Sequence, residues 1–173
     1  MTQVWGEVRA AGAGYDLSFE RAYATSVDDV WSAVTEPDRL ARWMAPYGGE
    51  LRLGGTWQAL NDDGTVFSWG TVTECEPPHR YVTTWEYEGE RPSEVVVTVT
   101  EHPEGARLVL AHTGLVDIGY GAGWQAYLEQ LDDALGLAAA SERDPGRRVD
   151  VAWEDRYREL SAPWRERIEA ARR

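Results

Sequence analysis

The sequence lacks several residue types on which common protein chemistry depends. It contains no lysine, since all 17 basic residues are arginines, and this excludes Schiff-base chemistry on a lysine side chain. Its one cysteine, Cys75, excludes an internal disulfide and a metal site built from several thiolates. No apolar run approaches the roughly 20 residues of a membrane span, and the first ten residues lack the basic and apolar regions of a signal peptide. We therefore expect a cytoplasmic protein with no membrane partner.

Motifs for metal binding, cofactor binding and nucleophilic catalysis are also missing. No Gly-x-Ser-x-Gly elbow occurs, and the glycine-rich residues 119–123 do not match the dinucleotide fingerprint. Asp62 and Asp63 belong to a predicted hairpin turn rather than to a metal site. The three histidines are not spaced as metal ligands: His79, His102 and His112. The sequence therefore predicts neither a metal nor a cofactor.

Acidic residues outnumber basic ones by 30 to 17, which gives a net charge of −13. Nucleic acids and anionic membranes are bound by clustered cations, so this balance argues against both as partners. Nine tryptophans are many for a chain of 173 residues, which is long enough for one domain with a sizeable core. Large rings often line places where another molecule fits. The composition therefore favours a protein that holds a small molecule.

The spacing of apolar residues changes along the chain. Residues 15–23 alternate, which predicts a strand, and Ser26 then caps a helix with an apolar stripe. Pro37 ends this helix and begins a second short one, predicted over Asp38–Met44. Alternation returns from Glu50 to Thr113 in six strand windows, beginning with Glu50–Leu53, and Tyr120–Ala140 again has helical spacing.

These elements predict a two-layer α+β fold, in which a curved antiparallel sheet of about seven strands packs around a long C-terminal helix. A further short strand is predicted near Val4–Arg9. A curved sheet that grips a helix leaves space between the two layers. We expect a cavity on the order of 300–1,000 Å³ in this space.

Four stretches of the chain resemble one known family. They read FERAYATSVDDVWSAVTEPDRLARWMAP, GGTW, WGTVTECEPPHRYVTTW and, before and within the long helix, HTGL followed by GWQAYLEQLDDAL. Their order and spacing over Tyr15–Ala140 are similar to the activator of heat-shock protein 90 ATPase homologue family, within the START-like, helix-grip superfamily also written SRPBCC. The resemblance implies a START-like domain over residues 1–140 that holds a hydrophobic or amphipathic small molecule. The superfamily also includes cyclases, hydroxylase components and chaperone stimulators, so the resemblance implies a container and not a reaction.

Strand parity and helical spacing direct one set of side chains between the two layers. We predict these as ligand-binding residues: Trp43, Tyr81, Trp85, Tyr87, Leu110, His112, Trp124, Tyr127 and Leu128. The rings among them could instead be plain core packing. His112 is the weak catalytic candidate, as an acid or base near neutral pH, or else a core histidine bonded to a backbone carbonyl. Arg21 could be an anion receptor in the cavity or could reach from the sheet edge to solvent.

The remaining residues, 141–173, are not covered by the resemblance. Residues 141–148 predict a linker, and Pro163 predicts a restart or kink in the helix that follows. Such a helix would be amphipathic, and an apolar stripe does not remain bare in water. It therefore folds over its own domain or pairs with a second chain as a homodimer. The stripe comprises Trp153, Tyr157, Leu160, Trp164 and Ile168.

Three functions remain open at this point. The preferred hypothesis is non-catalytic binding of a small hydrophobic or aromatic ligand between sheet and helix. The second is a module that modulates a chaperone ATPase or binds another protein, which a filled cavity and an exposed apolar patch would favour. The third is a cyclase- or hydrolase-like enzyme, which requires His112 beside another polar side chain that faces open space.

Overall fold

The computed structural model describes residues 4–141 and 151–173. Within these ranges the strands form one antiparallel sheet of eight, in the order β1-β2-β8-β7-β6-β5-β4-β3. This confirms the predicted curved sheet of the helix-grip fold, with one strand more than the seven counted. The strands are β1 (Glu7–Ala11), β2 (Gly14–Tyr23), β3 (Tyr47–Gly49), β4 (Thr56–Leu60), β5 (Val66–Glu76), β6 (Arg80–Trp85), β7 (Ser93–His102) and β8 (Gly105–Leu115).

Four α-helices lie within the described ranges: α1 (Val27–Thr35), α2 (Pro37–Trp43), α3 (Tyr120–Leu135) and α4 (Trp153–Ala171). The long helix α3 buries Trp124, Leu128 and Leu131 in the core that it shares with the sheet. None of these helices is long and apolar enough to cross a membrane.

The helix pair α1–α2 forms where the sequence predicts it. The Ser26 hydroxyl accepts a hydrogen bond from the Asp29 backbone N–H at 3.1 Å and so caps α1. Pro37 occupies the first turn of α2, where its missing N–H costs nothing. The two short helices close one end of the space beneath the sheet.

Two predicted boundaries are wrong, and glycine explains both. Glu50–Leu53 is not a strand, because the chain turns there: the Gly55 N–H donates to the Arg52 carbonyl at 2.8 Å, and Gly54 has a φ of 76°. The edge strand is β3 instead, which pairs with β4. Helix α3 ends at Leu135 and not at Ala140, since Gly136 has a φ of 78° and terminates it.

Both predictions for Arg21 are also wrong. Its side chain is only 2% exposed, so it neither reaches solvent nor lines an open cavity. The guanidinium faces the Asp132 carboxylate of α3 at 2.9 Å and lies over the ring of Trp5. Tyr23 donates a second hydrogen bond to Asp132 at 2.9 Å. Arg21 therefore fixes α3 to strand β2.

Helix α4 folds back on the domain and packs against α3 and β1. The predicted apolar stripe is its inner face, where Leu160, Trp164 and Ile168 are fully buried. Pro163 lies inside one continuous helix, so the predicted restart does not occur. The predicted linker falls almost wholly on residues 142–150, which lie outside the described residues.

Specific polar contacts fix α4 to α3. Arg156 binds Glu129 through two hydrogen bonds, from Nε at 2.6 Å and from Nη2 at 2.9 Å. Trp164 donates to Gln125 Oε1 at 2.7 Å. The indole of Trp164 also lies directly over Gly121, where a Cβ atom would come within 2.4 Å of it.

Candidate ligand-binding site

In the described part of the chain, side chains fill most of the space between the sheet and α3. The cavity that remains there measures about 20 Å³, which is room for roughly one water molecule. Three indoles occupy most of the gap, with ring centroids 5.3 Å apart for Trp57 and Trp85 and 5.4 Å apart for Trp85 and Trp124. The prediction of a cavity of several hundred Å³ between the layers is therefore wrong.

Three rings of the core have their polar atoms paired with groups of the protein: Trp57, Trp43 and Tyr81. Trp57 donates to the Thr83 hydroxyl at 2.7 Å, and Trp43 donates to the Ala33 carbonyl at 2.9 Å. The Tyr81 hydroxyl donates to the Val34 carbonyl at 3.0 Å. These contacts fix the ring orientations and join helix α1 to the sheet.

His112 belongs to this paired interior. Its Nδ1 accepts a hydrogen bond from Trp124 Nε1 at 2.9 Å, and its Nε2 lies 2.7 Å from the Ser93 hydroxyl. Its partners are thus side chains and not the predicted backbone carbonyl. The ring is fully buried, and desolvation lowers its pKa to about 3. A neutral imidazole with both nitrogens occupied orients Trp124 and does not serve as an acid or base near neutral pH.

The buried imidazole predicts a loss of stability in mild acid. Because the folded-state pKa lies below the unfolded value of about 6.5, the unfolded state binds the proton first, and stability falls as pH drops from 6.5 towards 3. Between pH 6.5 and 5 this group should cost about 2 kcal/mol of unfolding free energy. The decrease, followed by urea unfolding, should be smaller by that amount in His112→Gln. His102→Gln is the matched control and should keep the wild-type pH dependence; equal slopes in all three proteins would contradict the assignment.

An open pocket of about 590 Å³ lies at one end of the filled interior. We call it the mouth pocket. It is bordered by the β4–β5 hairpin, the segment after β6, the start of α3 and the first turns of α4. Its lining residues are Met44, Asn61, Phe67, Trp85, Tyr87, Glu88, Gly89, Glu90, Asp117, Gly119, Tyr120, Gly123, Trp124, Tyr127, Trp153 and Tyr157.

The floor of the mouth pocket separates it from the filled interior. Met44, Trp85 and Trp124 contribute to the walls of both the small cavity and the mouth pocket. Trp124 is oriented by its hydrogen bond to His112, and Trp85 donates to the Tyr120 hydroxyl at 3.2 Å. A molecule that enters the pocket would therefore rest on two oriented indoles.

One wall of the mouth pocket is a stack of three rings from two helices. Trp153 of α4 stacks on Tyr127 of α3, with centroids 4.9 Å apart and an interplanar angle of 26°. Tyr157 stacks on the other side of Trp153 at 5.0 Å and 20°. Trp153 also donates to the Gly123 carbonyl at 3.3 Å. The sequence pattern predicts Trp153 and Tyr157 as part of the apolar stripe of the C-terminal helix, and it does not indicate that they line a site.

Among the described residues, the charged groups that line the mouth pocket are acidic. Tyr120 donates a hydrogen bond to Glu90 at 2.8 Å, while burial raises the pKa of Glu90 against the lowering effect of that bond. Asp117 accepts a hydrogen bond from the Gly119 N–H at 2.8 Å. Burial, followed by the charges of Glu154 and Asp62, raises the pKa of Tyr127 to about 12. The described charges around the pocket are thus negative.

The predicted ligand-binding residues divide between the two spaces. The prediction that Tyr87 shares the buried strand face of Tyr81 and Trp85 is wrong, because β6 ends at Trp85 and Tyr87 is 44% exposed. It lines the mouth pocket together with Trp85, Trp124 and Tyr127. The small interior cavity is lined by Trp43, Tyr81, Trp85, Leu110, Trp124 and Leu128.

The other polar residues considered in the sequence have local structural partners. Asp63 accepts hydrogen bonds from Thr65 within the hairpin turn. His79 Nδ1 lies 2.9 Å from the Val99 carbonyl, and His102 accepts a hydrogen bond from the Glu104 N–H at 3.1 Å. Within residues 4–141 and 151–173, no group of three or more histidine, cysteine or acidic side chains is arranged to hold a metal ion.

Comparisons with known proteins agree with this architecture. Over residues 24–136 the chain matches the profile of a family described as Activator of Hsp90 ATPase homolog 1-like protein. No curated protein sequence matches the chain. The crystal structure of CalU16 from Micromonospora echinospora is similar, with 26% identity and a TM-score of 0.72 over 96% of this chain and 98% of that one.

Two further solved structures share the fold at lower identity. DynU16, from the dynemicin biosynthetic locus, has 24% identity and a TM-score of 0.63, over 78% of this chain and 50% of that one. PFC0360w, an Hsp90 activator from Plasmodium falciparum, has 20% identity and a TM-score of 0.59, over 71% of this chain and 97% of that one. Since the family profile spans more than half of the sequence and the helix-grip fold agrees with it, the chain belongs to the Activator of Hsp90 ATPase homolog 1-like family.

Proposed function

We propose that this protein binds a small, flat aromatic molecule in the mouth pocket and does not convert it. The observation that carries the proposal is an open pocket of about 590 Å³ in which half of the described lining residues are aromatic. This volume lies within the range of ligand sites, which are typically lined by apolar and aromatic groups with a few polar ones. The site lies beside the gap between sheet and helix and not within it.

The rigidity of the rings supports a binding role. Trp124 is held by His112, Trp85 by Tyr120, and Trp153 by the Gly123 carbonyl. Side chains that are already oriented lose little conformational entropy when a ligand arrives, which favours affinity. Flat rings fixed in this way select a flat partner by stacking, with about 0.5–1.5 kcal/mol gained for each ring pair.

A surface-acting chaperone modulator is less well supported. The filled interior suits such a module, but its expected counterpart is an extended apolar patch. Among the described residues, the five large exposed apolar side chains come from four parts of the chain: Leu53 in the turn before β4, Val66 and Trp69 on β5, Tyr87 after β6 and Val116 after β8. A catalytic role for His112 would require open space for a substrate beside the imidazole, and the ring is fully buried.

Titration of the protein with anthracenylmethanol, an uncharged three-ring fluorescent probe, tests the proposal. We expect saturable binding, measured by the fluorescence anisotropy of the probe. Trp153→Ala should weaken binding about tenfold, because it removes the middle ring that orients Tyr127 and Tyr157 in the pocket wall, and each of its two ring pairs is worth about 0.5–1.5 kcal/mol. Trp69→Ala is the matched control: Trp69 is partly exposed on β5 and does not line the pocket, so its loss should leave the affinity unchanged. Absence of saturable binding to the wild-type protein would refute the proposal.

A further inference from the structure

The Glu90 carboxylate is a polar group of the mouth pocket that is partly buried and still has capacity for a ligand. It is half-buried and lines the pocket. It accepts one hydrogen bond, from the Tyr120 hydroxyl at 2.8 Å, although a carboxylate can accept about four. Among the residues that the structure describes, no arginine forms an ion pair with it. A half-buried carboxylate without a counter-charge is stabilised when a cation arrives.

Its surroundings have the same electrostatic sign. In the described part of the chain the charged lining residues are Glu88, Glu90 and Asp117, and no arginine lines the pocket. Burial is the main cause of the raised pKa of Tyr127, and the nearby charges of Glu154 and Asp62 raise it further. These carboxylates would repel an anionic ligand, whereas they would attract a cation before it makes contact.

The aromatic walls suit a cation as well as a flat ring system. A positively charged nitrogen within about 6 Å of an indole or phenol ring is attracted by the π face, by about 0.5–2 kcal/mol. Trp85 and Tyr120 lie next to Glu90 through one hydrogen-bonded chain, from Trp85 Nε1 to the Tyr120 hydroxyl and from that hydroxyl to Glu90. A carboxylate and two aromatic rings therefore lie together in one part of the pocket.

We infer that the mouth pocket takes an aromatic molecule that carries a protonated amine, with the rings on the indole floor and the ammonium group at Glu90. This inference rests on the proposed function and narrows it to one ligand class. Glu90 sets the charge preference, while Trp85, Trp124 and Trp153 set the preference for flat rings. Glu90 then holds an amine that donates to the carboxylate oxygen left free by Tyr120.

Three anthracene probes of closely similar size separate charge from shape: anthracenylmethylamine, anthracenylmethanol and anthracenecarboxylate. At pH 7 they are a cation, a neutral molecule and an anion. We expect the amine to bind about tenfold more tightly than the alcohol, the effect of one charge-assisted hydrogen bond. The carboxylate should bind more weakly than the alcohol. Anisotropy titrations at one ionic strength measure all three affinities.

Glu90→Gln tests the assignment to this residue. Glutamine keeps an oxygen that can accept the Tyr120 hydrogen bond but removes the charge, so the amine should lose its tenfold advantage over the alcohol when both are measured on the variant. Glu101→Gln removes the same charge from the distant end of β7 and should leave the advantage intact. The pair separates a local contact from the effect of net charge.

The outcomes distinguish the two proposals. If the alcohol binds and the amine binds no better, the inference is overturned and the proposed function stands. If none of the probes binds, both are overturned. If the amine keeps its advantage in Glu90→Gln, the assignment of the ammonium group to Glu90 is overturned.

Discussion

Replacement of Arg156 by alanine should lower the free energy of unfolding by about 3–5 kcal/mol, the cost of leaving a buried charge without its partner. Arg156 and Glu129 are each 9% exposed in their side chains and form a bidentate pair between α4 and α3. The hydrogen bond to Glu129 raises the pKa of Arg156, so the guanidinium stays charged throughout the accessible pH range. Urea unfolding monitored by circular dichroism measures the loss.

Arg158→Ala is the matched control for this prediction. Arg158 belongs to the same helix and pairs with Asp155, but the two side chains are 77% and 58% exposed. Exposed pairs of this kind contribute about 0–1 kcal/mol. Similar losses in the two variants would show that burial does not make the Arg156 pair important. The double variant Glu129→Gln with Arg156→Met should recover part of the stability, because it leaves no lone charge in the interface.

Gly121→Ala should destabilise the protein by about 2–3 kcal/mol through overpacking. A Cβ atom at this position would lie 2.4 Å from Cε3 and 2.5 Å from Cδ2 of Trp164. Trp164 is fully buried and is held by Gln125, so it has little freedom to move away. Either α4 shifts outward or α3 moves, and both disturb the stacked wall of the mouth pocket. Differential scanning calorimetry measures the loss, and weaker anthracenylmethanol binding should accompany it.

Gly123→Ala, two residues further along α3, separates the steric effect from helix propensity. A Cβ atom there meets its nearest neighbour, Trp153, at an ordinary contact distance of 3.7 Å. Alanine is favoured over glycine in a helix by up to about 1 kcal/mol. Gly123→Ala should therefore be neutral or stabilising, and an equal loss in both variants would contradict close packing at Gly121 as the cause.

Local patterns in the sequence predict the elements of the fold because each pattern has a local cause. Ser26 and Pro37 mark the ends of the two short helices through capping and a missing N–H. Alternation along β6 and β8 places Tyr81, Trp85 and His112 in the core. Helical spacing also identifies Asp132 as a possible partner of Arg21, because Asp132 lies four residues after Leu128 and so shares the buried face of α3.

The location of the pocket could not be predicted in the same way. Whether rings fill a gap or line it depends on the distance between sheet and helix, which no local pattern records. The small cavity results from the contact of Trp57, Trp85 and Trp124 across that gap, and these rings come from β4, β6 and α3. The outer wall needs the stacking of Trp153 on Tyr127, on a different helix. Such contacts depend on the tertiary arrangement.

The contiguous indoles of Trp57, Trp85 and Trp124, with centroid separations of 5.3 and 5.4 Å, make the unlabelled protein its own optical sensor. Excitation absorbed by one of these rings can migrate to its neighbours before it is emitted as light. Trp85 and Trp124 form the boundary between the core and the mouth pocket, so a ligand that quenches either one should also reduce the emission that follows from light absorbed by Trp57 in the core. On binding of a quenching ligand, the intrinsic tryptophan fluorescence should then fall by more than the fraction of it that Trp85 and Trp124 emit.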